Sequence, residues 1–550
     1  MTLKQELQHI LKGEVKDSPK VLSEYSRDAS LFEVKPRVVV FPKDVEDIKI
    51  LVKFVSERKN EGLSLVARSA GTDMTGGPLG ESIVVDFTKH FKEILDIGED
   101  WVRTQPGVYY RDFERKLASH NLLLPSYPAS KDICTVGGMV ANNSGGEKTL
   151  RYGKTEDYIK ELKVVLADGE EYVVKPLSFE ELQDKLQLDT FEGQWYRKLF
   201  KLVESNREVL YRAKPDVSKN SAGYYLWNVW DGKTFDATKL FAGSQGTLGL
   251  ITEITFRLVK PTHHASLLVV FLYDFKPLAK LTNALLAHKP ESLESYDDHT
   301  LWFAITHIPD FIKLLKGNSI TLALQFIPEF VMFLKGGFKL PKLVVLAEFT
   351  GDSEKEITEK ARAAQADLAE FHVQTRIARS DKEELKYMTV RRQSFNLLRH
   401  HVKGKRTAPF IDDLIVRPDD LPEFFPHLQR ILKQYPSLIY TVAGHVGDGN
   451  FHIIPLMDLR EEKNRKIIPR LMEEVHELVF KFKGSMTAEH NDGLIRTPFL
   501  EDMYGERVVS LFEDTKDIFD PGGIFNPGKK VRGDKAYVFS HIAKENKLGE

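Results

Sequence analysis

Three small-residue segments, each set against a strand-like run, restrict the fold of this chain more than any other feature. The first is ARSAGTDMTGG at 67–77, directly after LSLV. Glycine and alanine let backbone N–H groups approach an anion closely, and Thr72 and Thr75 add hydroxyl donors. It is neither a Walker A loop, since no Gly-Lys-Ser/Thr follows, nor GxGxxG. The second, PSYPASKDICTVGGMVANNSGGEKTLRYG at 125–153, is a long loop of the kind that carries function in compact domains. The third is AGSQGTLGLI at 242–251, where Gly246-Thr247 precedes a β-branched strand. Around them RVVVFP, the helically spaced DVEDIKILVKFVSER and SIVVDF give a βαβ texture that runs to GLITEITFRLVKP at 249–261.

A chain of 550 residues exceeds one core, so two or three domains are expected. Its 42% apolar and 29% charged content is that of a soluble globular protein. A formal net charge of −2 argues against a general nucleic-acid surface. The single cysteine, Cys134, excludes an intrachain disulfide, a cysteine zinc knuckle and a cysteine-ligated iron–sulfur cluster. It also fits a reducing cytoplasm, and MTLKQELQHILKGEVKDS lacks the apolar core of a signal peptide. SITLALQFIPEFVMFL at 319–334 falls short of the ~20 residues that span a bilayer, and it holds Pro328 and Glu329. It reads as a buried or cap helix. The competing reading is a face that docks on a membrane or partner, flanked by Lys313, Lys316, Lys335, Lys339 and Lys342. A cytoplasmic location is expected, membrane-associated under the second reading.

Texture divides the chain into a helical lead-in at 1–35, a first domain at 36–261, a second at 262–430 and a C-terminal region at 431–550. In 262–430, SLLVVFLYDF and KLVVLAEFT alternate with SEKEITEKARAAQADLAEF, which implies an antiparallel sheet with helices on one face. The last region carries a helix at 461–482 and the turn-rich FDPGGIFNPGKK.

It also carries GHVGDGNFH at 444–452. Gly447 and Gly449 disfavour a helix, and a single strand would put His445 and His452 on opposite faces. A hairpin with Asp448-Gly449 at the centre of a type I′ turn sets His445 directly opposite His452. Cross-strand Cβ atoms lie about 4.5–5.5 Å apart. Two imidazoles there can converge on one cation with bonds of about 2.0–2.1 Å. SMTAEHNDG at 485–493 offers Glu489 and His490 as further ligands, and an open His/His/Glu set suits a catalytic divalent metal. The residues alone leave metal binding and a plain hydrogen-bonded hairpin both open.

The three small-residue segments, in this order and spacing, resemble the FAD-binding domain of the vanillyl-alcohol-oxidase and p-cresol-methylhydroxylase superfamily. GHVGDGNFH, AEHNDG and FDPGGIFNPGK resemble the C-terminal domain of FAD-linked D-2-hydroxyacid dehydrogenases: D-lactate dehydrogenases, the glycolate oxidase flavin subunit and D-2-hydroxyglutarate dehydrogenases. The resemblance implies an α+β fold: a PCMH-type FAD-binding domain of two α+β subdomains, then an antiparallel-sheet-plus-helices substrate domain and a C-terminal helical segment. It implies FAD contacts at Arg68, Ser69, Ala70, Gly71, Thr72, Asp73, Thr75 and Gly76; at Pro125, Thr135, Gly137, Gly138, Asn142, Ser144, Gly145, Tyr152 and Gly153; and at Gly246, Thr247, Ile251 and Asn526. Ser69-Ala70 replaces two family glycines, and Gln245 stands where Glu is common. The family's covalent flavin link uses a histidine in or near the first loop; 67–77 has none, so non-covalent FAD is expected.

The same resemblance implies that His445, His452 and Glu489 hold a divalent metal, zinc first with manganese or iron as alternatives, and that His490 acts as base or further ligand. A neutral imidazole near pH 7 suits a base. The implied reaction is oxidation of a D-2-hydroxyacid (D-lactate, D-2-hydroxyglutarate or a glycolate-like acid) to the 2-oxoacid, by hydride transfer to FAD. An arginine fork should clamp the substrate carboxylate; in MTVRRQSFNLLRHH, Arg391 is the positional match and Arg392 its competitor. Relatives acting on 2-hydroxyglutarate carry threonine and lysine where Phe395 and Ile411 stand, and Lys403, Lys405 and Arg406 either compensate or form a solvated loop. The electron acceptor is expected to be a quinone, electron-transfer flavoprotein, cytochrome or separate iron–sulfur subunit rather than NAD, with which the missing Rossmann fingerprint is consistent. A homodimer is a further expectation. The alternatives are a flavin oxidase of an alcohol, sugar or lactone with structural histidines, and a non-catalytic flavoprotein subunit of an electron-transfer complex.

Overall fold

The computed structural model describes residues 1–307, 339–402 and 404–544. The segment 319–334 with Lys313, Lys316 and Lys335 lies outside the described residues, as do Lys403 and the side chain of Phe395.

The first layer is a four-stranded sheet in the order Glu14–Lys16, Val38–Phe41, Ile83–Asp86, Leu65–Arg68. The last three strands are parallel and the first is an antiparallel edge. The helix Val45–Glu57 crosses between them. Asp44 caps it by accepting from the Asp47 N–H, and Ile48, Leu51, Val52 and Val55 form its buried stripe. Each such aliphatic side chain contributes about 1.5–3 kcal/mol when fully buried. The lead-in is not purely helical. Between the helices Leu3–Ile10 and Pro19–Tyr25, the strand Glu14–Lys16 joins the sheet. Three residues with one buried apolar side chain, Val15, are too short to show a period.

A five-stranded antiparallel sheet follows, in the order Ile94–Ile97, Trp101–Thr104, Leu250–Arg257, Ile159–Val165, Glu171–Val174. Helices Tyr110–Ala118 and Phe191–Ser205 pack into its core.

The largest sheet has seven strands, ordered Gln374–Ile377, His264–Leu272, Leu343–Gly351, Ser292–Asp297, Val442–His445, Asn450–Ile453, Leu414–Ile415. The boundary expected at residue 430 falls inside this one sheet. Its helices cover both faces, not one. Leu268, Val270 and Leu272 pack with Leu281 and Ala361, whereas Leu267, Val269 and Phe271 pack with Leu301 and Tyr387. The unbroken apolar run SLLVVFL is the signature of a strand buried on both sides.

The C-terminal stretch returns to the first layer. Leu65 donates its N–H to Ile524 and accepts from Asn526, at 2.7 and 2.8 Å. FDPGGIFNPGKK therefore lies beside the strand that launches the first small-residue loop. Among the described residues no helix is long and apolar enough to cross a membrane.

Candidate active site

The histidine hairpin forms, with a different register from the expected one. His445 pairs with Asn450, Gly444 with Phe451 and Ala443 with His452. The type I′ turn is absent: Gly449 has φ 75°, but Asp448 is not left-handed. Tertiary contacts shape the connection instead. Gly447 donates to the Leu293 carbonyl at 3.1 Å, and the Asp448 carboxylate lies 3.0 Å from the Lys219 ammonium. A Cβ at Gly449 would sit 1.9 Å from the Val416 carbonyl oxygen. Residues 443, 445, 450 and 452 still share a face, so the two histidines meet diagonally, ring centres 5.3 Å apart. His490 stacks on His452 at 5.0 Å.

Each of these imidazoles turns its Nδ1 to a buried carboxylate. His445 Nδ1 lies 2.6 Å from Glu294; His452 and His490 share Asp412, at 3.2 and 2.7 Å. The His490 contact is out of line for a directional hydrogen bond and acts as an ion pair. The Nε2 of His445 lies 3.5 Å from Glu489 Oε2. A carboxylate on Nδ1 with Nε2 directed elsewhere is how proteins orient metal-ligating histidines.

The same carboxylates set the charge. Burial pulls His445 down, but Glu294 outweighs it and the imidazole is pushed up to about 9. Burial is likewise outweighed at His490, where Asp413 and Asp412 push it up to about 9. These carboxylates favour the protonated imidazole over the neutral form expected near pH 7. Burial raises Glu489, yet Lys219 and His445 hold it well below the usual carboxylate range. For Glu294 too burial is outweighed, by His445 and Arg391, and the carboxyl lies at about 2.

Donor atoms of Asp413, His452, Glu489 and His490 all lie within 4.8 Å of one another. Asp413 is an anchor more than a ligand. Its Oδ2 accepts from the Thr487 hydroxyl and from the N–H groups of Glu489 and His490, at 2.7, 2.8 and 2.7 Å, and Oδ1 accepts from Asn450. That leaves His452, Glu489 and His490 as the converging donors; of the three expected metal ligands, His445 stands outside this cluster and reaches it through Glu489. Lys219, 1% exposed, holds Glu489 Oε1 at 2.6 Å. The sequence reading missed Glu294, Asp412, Asp413 and Lys219. The one available signal was Asp412-Asp413 inside the apolar FIDDLIV, since buried acids need partners.

The two arginines diverge. Arg391 places Nε 2.9 Å from Glu294, which carries it to His445. Arg392 instead forks onto Glu147 at 2.9 and 2.8 Å. Ile411 is fully buried in the apolar core. Arg406 belongs to no solvated loop: it is 3% exposed and donates to the Ser30 carbonyl at 2.8 Å.

Gln245 stitches the three small-residue loops together. Its amide donates to Asp73 at 3.1 Å, Asn142 at 3.2 Å and Thr75 at 3.4 Å, and its carbonyl accepts from the Gly493 N–H at 2.8 Å. Asp73 in turn receives Thr75 and Gly77, and Asn526 donates to the carbonyls of Gly77 and Gln245. Gly71 and Gly76 sit at φ 69° and 84°, where side chains are disfavoured. Thr135 caps the helix Val136–Asn142, and a Cβ at Gly138 would meet Ser69 Oγ at 3.1 Å. Ser69, Ala70, Thr72, Gly137 and Asn142 are half-buried around this junction. The cradle is closed to larger side chains at Gly71, Gly77 and Gly138, which fits the close approach of a dinucleotide pyrophosphate. Three residues of the expected set turn their side chains elsewhere. Arg68 donates to the carbonyls of Tyr25 and Arg27, Tyr152 to Glu291, and Thr247 pairs with Tyr224. The backbone carbonyl of Ser144 accepts from Thr155. Pro125 is buried, Gly153 is a φ 78° turn, Gly246 packs near Ala67, and Ile251 lies in a strand. Gly145 joins the two sites: a Cβ there would lie 3.2 Å from Glu489 Oε1.

Solved structures share this fold. The chain aligns over 97% of its length with 97% of 4-ethylphenol oxidase from Gulosibacter chungangensis, in an isoeugenol complex, at TM-score 0.68 and 15% identity. It aligns with p-cresol methylhydroxylase at TM-score 0.67 and 16% identity, covering 96% of each. The fold is therefore that of the PCMH-type flavoproteins. Residues 36–175 match the FAD binding domain family, and 260–530 match the C-terminal domain of FAD linked oxidases. The chain thus carries an FAD binding domain followed by the C-terminal domain of FAD linked oxidases. It is 28% identical over 511 residues to a D-2-hydroxyglutarate dehydrogenase of Pseudomonas putida, covering 91% of this chain and 49% of that one. It is 27% identical over 519 residues to the glycolate oxidase subunit GlcD of Bacillus subtilis, covering 93% and 92%. The chain thus spans about half the length of several D-2-hydroxyglutarate dehydrogenases it matches.

Proposed function

We propose that this chain oxidises a D-2-hydroxyacid to the 2-oxoacid with non-covalently held FAD and a divalent cation. One observation carries the reading: three imidazoles oriented by buried carboxylates converge beside Glu489, against Gly145 of a flavin loop. The first, second and third loops with Asn526 would hold FAD, and FAD when bound supplies the two-electron acceptor. His445, His452 and Glu489 would hold the cation, and the cation when bound supplies Lewis-acid lowering of the substrate hydroxyl pKa.

The chain's own groups do the rest. Loading a cation requires His445 to give up the proton that Glu294 favours, and the added positive charge would disfavour the imidazolium of His490 that Asp412 and Asp413 favour. His490 is then a neutral base able to take the hydroxyl proton at Nε2, and Asp412 steadies the imidazolium that results. Arg391, held at Nε by Glu294, turns its Nη groups to the substrate carboxylate. Arg392, committed to Glu147, braces the flavin-binding half against the substrate sheet. Electrons leave to a carrier other than NAD.

The test is anaerobic flavin reduction with a panel of D- and L-2-hydroxyacids, with and without chelator, alongside metal analysis. D-acids should bleach the flavin and chelated protein should not respond. Reduction indifferent to both would instead favour a flavin oxidase with structural histidines.

A further inference from the structure

Glu489 reaches the histidine centre from a loop of the substrate half, yet one of its two oxygens is taken by the flavin-binding half. Lys219 lies within the first domain, buried, with its ammonium 2.6 Å from Glu489 Oε1 and 3.0 Å from Asp448 Oδ2. It bridges the turn of the histidine hairpin, at Asp448, and the third ligand, Glu489. The backbone that delivers it is fixed. Ser221 N–H donates to the Thr487 carbonyl at 3.0 Å, and Ser485 Oγ donates to Asn220 Oδ1 at 2.7 Å. A second buried lysine, Lys154, ties Asn220, Ser221 and Ala488 together at 3.0, 2.6 and 2.7 Å. The ammonium therefore arrives at a set height above the centre.

We infer that Lys219 is a positioning residue that restricts Glu489 to a single coordinating oxygen and so keeps a coordination position open for substrate. This rests on the cation reading given above. A carboxylate free of Lys219 can turn both oxygens to one cation, as carboxylates do when nothing else claims them. It would then occupy the place the substrate's hydroxyl or carboxylate oxygen needs. Removing the ammonium also deletes a positive charge beside a dication and frees Glu489 Oε1 and the Asp448 carboxylate from their shared partner. Lys219→Met should accordingly bind the cation more tightly while using substrate less well, a combination that loss of a structural brace does not give.

The test titrates Mn²⁺ and Zn²⁺ by calorimetry into the chelator-treated, FAD-loaded full chain at pH 8. For K219M the Kd should fall by about tenfold or more while FAD content holds, because a neighbouring cation has been removed. The KM for the acid that reduces wild-type flavin fastest should rise by a similar factor. Asp448→Asn should shift the metal affinity the other way, by several-fold, since Lys219 then concentrates on Glu489; should K219M fail to fold, this variant decides alone. Weaker metal binding by K219M, an unchanged KM, or unchanged or tighter binding by Asp448→Asn would each overturn the inference. No uptake by the wild type would overturn the cation reading itself, and the inference with it.

Discussion

Asp412 is the side chain on which the histidine centre most depends without itself facing the cation. It is fully buried and serves two imidazoles at once, His490 at 2.7 Å and His452 at 3.2 Å. Asp412→Asn keeps its shape and removes its charge. Its amide can accept one imidazole N–H and must present an N–H₂ to the other, so one ring loses its orientation. Partners of this kind are worth roughly 10–100-fold in metal affinity, or about 1.4–2.7 kcal/mol. His490 also loses one of the two carboxylates that raise it, so its pKa should move down from about 9. The assay is calorimetric titration of Zn²⁺ or Mn²⁺ into chelator-treated protein, with the FAD-to-protein absorbance ratio as the control for folding. Weakened metal binding with normal FAD content is expected. Wild-type affinity in D412N would refute the argument that Nδ1 orientation by Asp412 builds the site.

Further expectations follow from other contacts. Because His445 and His490 are raised to about 9, metal uptake at pH 7 should release protons and affinity should climb with pH until about 9, as proton counting by calorimetry in two buffers would show. The same raised groups stabilise the metal-free fold fully below their unfolded pKa near 6.5, and that contribution is lost as pH rises through about 9. The metal-free Tm should therefore drop between pH 7 and 10; a flat or rising profile would contradict the ion pairs. Gln245→Glu, although it restores the commoner family residue, replaces donors to Asp73 and Asn142 with a carboxylate facing acceptors. It should cost about 1–3 kcal/mol and lower FAD retention on gel filtration. Arg391→Met should raise KM by roughly tenfold or more through loss of a charge-assisted clamp, whereas Arg392→Met should change KM little and lower Tm by orphaning Glu147.

Much of the architecture was legible because it rests on short-range patterns. The stripe Ile48, Leu51, Val52, Val55 and the β-branched runs at 38–41 and 83–86 state their elements directly. What escaped was set by contacts distant in sequence. The hairpin register was read from the local preference of Asp-Gly, but Lys219, Leu293 and Val416 claim Asp448, Gly447 and Gly449. The two-faced helical cover of the largest sheet was missed because the reading rested on strands interleaved with charged helices and not on SLLVVFL, which is apolar on both faces. In the site, the ligating residue types were visible in GHVGDGNFH and AEHNDG. Their orienting carboxylates were not, because Glu294 lies 151 residues from His445 and nothing local marks it. Arg391 and Arg392 are adjacent in sequence but face different partners, a distinction that only packing makes.

Diffraction from crystals of the FAD-loaded protein, with anomalous scattering recorded at the absorption edge of the bound metal, addresses the central claim most directly. The account requires one peak beside the flavin, about 2.0–2.2 Å from the Nε2 atoms of His445 and His452 and from one Glu489 oxygen. A peak elsewhere, or none in protein that still reduces its flavin with D-2-hydroxyacids, would contradict it.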